Sequence, residues 1–248
     1  MRLRVVSKDT KDAKEIASNI KKIAIDMGFK IVEDETEDAI VVVGGDGTLL
    51  RYVKLGKPII GIKSGRRSAL FDVEPGQSKE MLLKLKNRDY KVEEYKLLEA
   101  KSKYVKDIAF NDIAILFDLP ETIYGSILFE SNKIIFEGDG ILVSTTQGSW
   151  AWGYAANRIV VHRKVNAINV SFLNCLTPDI RALILPDNEE LSIKLEDKGR
   201  PQSVRIVVDG ETVGYLKTNE DDAITIKISE KKANILRFFN SVNLGNVR

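Results

Sequence analysis

Along roughly the first 90 residues, short apolar runs alternate with apolar positions at helical spacing. Residues 3–6 predict a strand. Ala13, Ile16, Ala17, Ile20, Ile23 and Ala24 then recur three and four apart, so a helix capped at Asp9 or Thr10 is expected to bury one face. Gly28 suits the left-handed position that ends such a helix. A short strand at 29–32 and an acidic loop at 33–38 follow. Residues 39–43, Ala-Ile-Val-Val-Val, include no polar side chain, the pattern of a central strand covered on both faces. A glycine turn, a short helix from about Thr48, a strand at 58–62 and an amphipathic helix at 77–87 complete the series. Strands alternating with helices predict a parallel sheet with helices on its faces.

After Tyr90 the period changes. Segments near 104–117, 122–129, 133–143, 159–173, 180–185, 190–195, 203–209 and 222–228 are β-branched and often alternate. Ser131-Asn132, Pro186-Asp187-Asn188 and Asp209-Gly210 supply turn residues between them. The expected fold class is α/β plus all-β: an open parallel-sheet α/β domain at 1–95, then a β-sandwich-like domain at 96–232. An apolar tail at 233–248 is expected to pack back on the body. One helical turn, 148–156, interrupts the strand-rich half.

Composition narrows the function classes. With 44% hydrophobic and 30% charged residues, the 248-residue chain is globular and too apolar for disorder. A net charge of +2 gives no bulk field to attract nucleic acid or a membrane surface. The N-terminal apolar run is too short for a signal peptide, and no segment approaches the ~18 apolar residues of a membrane helix, so a cytoplasmic location is expected. The single cysteine, Cys175, excludes an internal disulfide and reads as a small buried hydrophobe. His162, the only histidine, reads as a surface residue at a strand end, and no Cys or His cluster suggests a structural zinc site. The carboxylate pairs Glu93-Glu94, Glu189-Glu190 and Asp221-Asp222 read as solvated edges.

The chemistry concentrates in Gly44-Gly45-Asp46-Gly47-Thr48. This turn follows the apolar strand and leads into a helix, where open α/β sheets bind ligands. Glycines admit close backbone approach, so amide N–H groups can face phosphate oxygens; Thr48 is placed to cap the helix. An aspartate at such a spot would repel phosphate unless it serves the reaction, for instance by taking a proton from an attacking hydroxyl. A tight turn capped by an aspartate is the competing reading of the same residues. The turn lacks the lysine of a Walker A loop and the G-x-G-x-x-G spacing of a dinucleotide fold.

Gly44 to Thr48 resembles the signature of a superfamily that includes NAD kinases, lipid kinases and phosphofructokinases, and Leu49-Leu50-Arg51 resembles the NAD kinase branch. Two further blocks match that branch in order. Phe110-Asn111-Asp112 is similar to its Asn-Glu motif, with Asp for Glu. Residues 137–152, with Asp139-Gly140 and Ser144-Thr145-Thr146-Gln147-Gly148-Ser149-Trp150-Ala151-Trp152, are similar to its Asp-Gly and Ser-Thr-Pro-Thr-Gly-Ser segment. Thr177-Pro178, Leu185-Pro186-Asp187 and Val208-Asp209-Gly210 are weaker landmarks. The resemblance implies an NAD kinase-like fold and phosphorylation of the 2′-hydroxyl of the adenosine ribose of NAD, giving NADP. It implies Asp46 as general base; Gly44, Gly45, Gly47, Thr48 and Arg51 near phosphates; Asn111 and Asp112 on the adenosine portion; and Asp139, Ser149, Trp150, Ala151, Trp152 and Ala155 lining the NAD pocket. ATP or polyphosphate would be the donor, with Mg²⁺ or another divalent cation held through its phosphates and no metal ligands from the chain. A homodimer or homotetramer is implied.

Thr146 stands for the family's Pro, Trp150 for a Thr and Trp152 for a Tyr. For both tryptophans, packing of an apolar helix face competes with ligand contact. Arg66 and Arg67 could bind donor phosphates, or belong to a solvated basic loop. Two other functions stay open on these residues: a dinucleotide-binding regulator without catalysis, and a lipid kinase of the same superfamily.

Overall fold

The computed structural model describes residues 1–65, 68–218 and 223–239. Arg66, Arg67, Asp221, Asp222 and the end of the expected tail lie outside the described residues. The chain begins β1 (Arg2–Ser7), α1 (Lys11–Asp26), β2 (Lys30–Ile31), β3 (Ala39–Gly44), α2 (Asp46–Val53), β4 (Ile59–Lys63), α3 (Ser78–Lys86) and β5 (Lys91–Lys101). It continues β6 (Lys106–Ala109), β7 (Asp112–Phe117), β8 (Ile123–Phe129), β9 (Asn132–Gly138), β10 (Gly140–Ser144) and α4 (Trp152–Asn157). The remainder is β11 (Ala167–Leu173), β12 (Ala182–Pro186), β13 (Leu191–Leu195), β14 (Ser203–Val208), β15 (Glu211–Lys217) and β16 (Ile224–Arg237). It forms two compact units: Met1–Tyr95 with the described residues from Lys232 onward, and Lys96–Lys231. The strands β5 and β16 each carry residues of both.

In the first unit the sheet order is β2-β1-β3-β4-β16, with each neighbouring pair parallel. All six residues of β3 are buried, as the uninterrupted apolar run demands. α1 turns Ala13, Ala17, Ile20 and Ala24 onto a core with Leu3, Val41, Ile60, Met81 and Leu82. It ends as expected, with Gly28 at φ 85°. Registers Ser7↔Val43 and Gly44↔Lys63 bring the carboxyl ends of β1, β3 and β4 together, so the residues after Gly44 emerge at that edge. The apolar segment 233–239 packs on the first unit and partly joins its sheet: Ile235 pairs with Ile59, and Ala233, Ile235, Leu236 and Phe238 are buried.

The second unit has an antiparallel sheet ordered β12-β11-β10-β7-β14-β15 and a second antiparallel set in which β13 pairs with β8 and β16, and β8 with β9. Ile113, Ile115, Ile141, Val143 and Ile206 of the first share one core with Ile127, Phe136, Ile193 and Ile226 of the second, a sandwich-like arrangement. The expected strands at 104–117 and 133–143 are each split in two, at Phe110–Asn111 and at Asp139. Only 167–173 of the expected 159–173 is strand. Two strands, β5 and β15, were not legible in the pattern. β5 is Lys-Val-Glu-Glu-Tyr-Lys-Leu-Leu-Glu-Ala-Lys, whose charges mask a partly buried face. β15 carries Gly214, where a Cβ would strike the Val105 side chain, so close packing rather than β-branching selects the residue there. The expected turn at 148–156 is a 3₁₀ turn followed by α4, broken at Ala151 (φ −104°, ψ −117°).

Candidate functional site

The helix α2 starts at Asp46, two residues earlier than expected, with Gly45 as its N-cap and no side-chain cap bond. Thr48 is therefore the third helical residue and does not cap the helix. Its position explains Gly44 instead: a Cβ there would lie 2.5 Å from Thr48 Oγ1, so the strand can enter the helix this closely only with glycine. None of Gly44, Gly45 and Gly47 has a positive φ, and Gly45 is extended at φ −139°. A Cβ on Gly47 would meet nothing within 4 Å. The glycines thus serve close packing on one side and open space on the other, beside the amide end of a helix that favours anions. Arg51 is exposed in the last turn of α2, about 7.5 Å along the axis from Asp46.

Asp46 is half-buried, and a loop returning after β4 holds its carboxylate. Ala69 N donates to Oδ2 at 3.1 Å and Leu70 N to Oδ1 at 3.0 Å. A carboxylate offers about four lone-pair directions, so both oxygens keep acceptor capacity for a further proton donor. Burial raises the Asp46 carboxyl above the ordinary carboxylate value, opposed by the Leu70 and Ala69 amides and by the charge of Arg237. A base shifted this way is better matched to neutral pH. The loop itself is pinned. Phe71 is buried against Gly61, where no Cβ would fit, and Lys63 N donates to Val73 O at 2.9 Å.

In the second unit, Asn111 and Asp112 sit at the break between β6 and β7. The Asp209 carboxylate accepts from Phe110 N (2.8 Å), Asn111 N (2.8 Å) and Asp112 N (3.3 Å). Thr145 N donates to Asn111 O at 2.9 Å, and Gln147 Nε2 donates to Phe110 O at 2.7 Å and to Lys96 O at 2.7 Å. Gly148 packs so close that a Cβ would run into the Asn111 carbonyl. The two blocks, far apart in the chain, are thus one hydrogen-bonded constellation. Burial first, and then the charge of Asp209, push the Asp112 carboxyl up to about 7.

Other expected site residues fall into distinct environments. Ser149 is fully buried, its hydroxyl donating to Thr146 O at 2.6 Å and accepting from Val161 N at 2.9 Å. Trp150 is half-buried and its indole N–H donates to Val161 O at 3.2 Å. Trp152 packs against Ala114, Leu142 and Val207, the core reading that competed with ligand contact. Ala151 and Ala155 are exposed. Asp139 precedes β10, whereas Thr145 follows it; pairing of Ser144 with Asp112 leaves Asp139 roughly 17 Å along the strand from the Asn111–Asp112 turn. The structure does not bring Asp139 to that turn within one chain. Its carboxylate accepts from Asn174 Nδ2 at 2.7 Å.

Several residues outside the expected set matter here. Asp209, only a landmark in the sequence, organises the Asn111–Asp112 turn. Arg237 and the amides of Ala69 and Leu70 gave no local signal beyond one charge inside an apolar run. Glu93 is not solvated as expected: its carboxylate accepts from Arg237 Nε at 2.7 Å. Cys175 is half-buried rather than buried, and burial pushes its thiol up to about 11. His162 is exposed, in a turn instead of at a strand end. Among the described residues, no group of three or more His, Cys, Asp or Glu side chains could hold a metal ion, and no helix is long and apolar enough to cross a membrane.

A family model described as the ATP-NAD kinase N-terminal domain matches residues 4–90, and one described as the ATP-NAD kinase C-terminal domain matches residues 110–238. The chain is 52% identical over 242 residues to the NAD kinase of the archaeon Sulfurisphaera tokodaii, spanning 98% of this chain and 97% of that protein. The crystal structure of yeast NADH kinase complexed with NADH superposes with a TM-score of 0.89 at 18% identity, covering 98% of this chain and 85% of that one. An NAD kinase from Archaeoglobus fulgidus in complex with ATP superposes at 0.78 with 24% identity, covering 97% and 94%. At these identities the two structures speak for the fold.

Proposed function

The chain belongs to the NAD kinase family, and from that premise we propose that it transfers a terminal phosphoryl group to the 2′-hydroxyl of the adenosine ribose of NAD, giving NADP, with Asp46 as general base. One observation carries the base: Asp46 is a half-buried carboxylate, raised by burial, held on both oxygens and set at the mouth of a helix. A ribose hydroxyl is a poor nucleophile at neutral pH. Donating its proton to a fixed carboxylate as the P–O bond forms removes that obstacle, a gain on the order of 10²–10⁴ in rate. The opening beside Gly47 and the amide end of α2 suit donor phosphate oxygens, with Gly45 and Thr48 on the same turn. Asn111 and Asp112, held by Asp209 and Thr145, would hydrogen-bond the adenosine portion. Trp150, Ala151 and Ala155 would line the remainder of the dinucleotide pocket, with Ser149 shaping the segment from within.

ATP or polyphosphate serves as donor, arriving with Mg²⁺ or another divalent cation on its phosphates; the described residues offer the cation no cage of their own. A cytoplasmic homodimer or homotetramer is the working form carried over from the family, and light scattering of the purified protein tests it. Asp46→Asn should leave the fold intact and lower kcat on the order of 10²–10⁴-fold, read as NADP formed from NAD with ATP or polyphosphate. Turnover near the native rate in that variant removes Asp46 from the base role. NAD bound by the native protein without turnover under any donor would favour the regulator over the kinase.

A further inference from the structure

We infer that Arg237 is a positioning residue for Asp46, acting through the Ala69–Leu70 loop with Glu93 and Tyr95 behind it. The chain of contacts is continuous within the first unit. Leu70 N donates to Asp46 Oδ1, and the carbonyl oxygen of the same Leu70 accepts from the Arg237 guanidinium. Arg237 Nε donates to Glu93 Oε2 at 2.7 Å, and its Nη2 donates to Tyr95 Oη at 2.9 Å. Tyr95 Oη donates in turn to Glu93 Oε2 at 2.8 Å, closing a triangle that fixes the guanidinium plane. Arg237 is only 7% exposed, so its fork is neither hydrated nor free to swing.

Leu70 is tied through both of its flanking peptide groups, its amide to Asp46 and its carbonyl to Arg237, so rotation about the residue between them is restricted and the Ala69 and Leu70 amides are kept on the carboxylate. The next residues reinforce this, because Asp72 Oδ2 accepts from Phe238 N (2.8 Å) and Phe239 N (2.9 Å), tying loop and strand end together. Arg237 has a second effect: its positive charge favours the ionised Asp46 and offsets part of its burial. Among the described residues, the charged and titratable groups of this neighbourhood are Arg237 from β16, Glu93 and Tyr95 from β5, Asp72 from the loop, and Lys63 at the end of β4, which is paired with Glu74 at 2.7 Å. Catalysis would thus depend on a strand far from the glycine turn in sequence.

The inference rests on Asp46 being the base, and two variants of opposite charge effect test it. Arg237→Met removes the cation, so the acidic limb of the kcat–pH profile should move up, with kcat at neutral pH down about tenfold. Glu93→Gln removes the anion that neutralises Arg237, so the same limb should move down. Arg237→Lys keeps the charge and loses the planar fork; its limb should stay near the native position while kcat falls. KM for NAD and donor should change little in all three. Titration of the Asp46 carboxyl carbon by NMR, assigned by its loss in Asp46→Asn, reads the same shifts without turnover. If Arg237→Met does not fold, Glu93→Gln and Arg237→Lys carry the test. Limbs and carboxyl titration unmoved in Glu93→Gln, beside an inactive Asp46→Asn, overturn the positioning role alone. An active Asp46→Asn overturns the base instead, and the carboxyl titration then still decides whether Arg237 acts on Asp46.

Discussion

Two aspartates show how one residue type acquires two characters. Asp46 is raised by burial but is held by two amides and faced by a cation, a setting that keeps an anion available as a base. Asp112 is buried with Asp209 as its charged neighbour, and sits at about 7. That value is well above the ~3.9 of an unfolded chain, so Asp112 binds a proton more tightly when folded. The sign of the linkage follows: its contribution is fully present below about pH 4 and is lost as pH rises through 7. Asp112→Asn should therefore raise stability at pH 8 relative to the native protein, with the gain shrinking toward pH 4. Urea melts at the two pH values measure it, and a pH-independent difference would remove the buried charge as the cause.

At the scale of elements, strands and helices here are placed mostly by packing, but the candidate site's turn at 110–112 is placed by a side chain from elsewhere. The turn at 110–112 takes three amide donations into one carboxylate, from Asp209 in the β14–β15 turn. Hydrogen bonds to a charged acceptor are worth about 1.5–3 kcal/mol each. Asp209→Ala should cost the second unit several of these at once and raise the KM for NAD more than it lowers kcat. Chemical denaturation and steady-state kinetics together check this, and an unchanged KM would separate Asp209 from dinucleotide binding. The break between β6 and β7, which looked like one continuous strand in the sequence, is the feature that creates this turn.

At the scale of the whole molecule, the first unit is discontinuous in sequence. Its sheet is completed by the last residues of β16, with Ile235 beside Ile59 and fully buried. Ile235→Ala should cost about 2–5 kcal/mol, the range for truncating a buried aliphatic side chain. Ending the chain at Lys231 should do more, leaving β4 paired on the β3 side alone and Asp72 without the amides of Phe238 and Phe239. Such a protein is expected to lose the cooperative melt of its first unit, seen by circular dichroism or limited proteolysis. Retention of that melt would mean the sheet is stable without β16.

The sequence by itself determined what local periodicity and motif order encode. The all-apolar 39–43 announced a central parallel strand, the spacing of Ala13 to Ala24 announced the face of α1, and three ordered blocks announced the family and its candidate base. These signals are readable because side chains two, three or four apart share a face whatever the rest of the chain does. Only the tertiary structure decided that Asp46 is held by Leu70, 24 residues on, that Asp209 grips Phe110 across 99 residues, and that Arg237 reaches the Leu70 carbonyl across 167. It also showed that the segment packing back on the first unit does so as the end of β16, and removed Thr48 from the cap. Backbone amides and carbonyls make most of these contacts, and they are the same at every residue. No pattern of side chains can therefore tell in advance which distant group a given carboxylate or guanidinium will find.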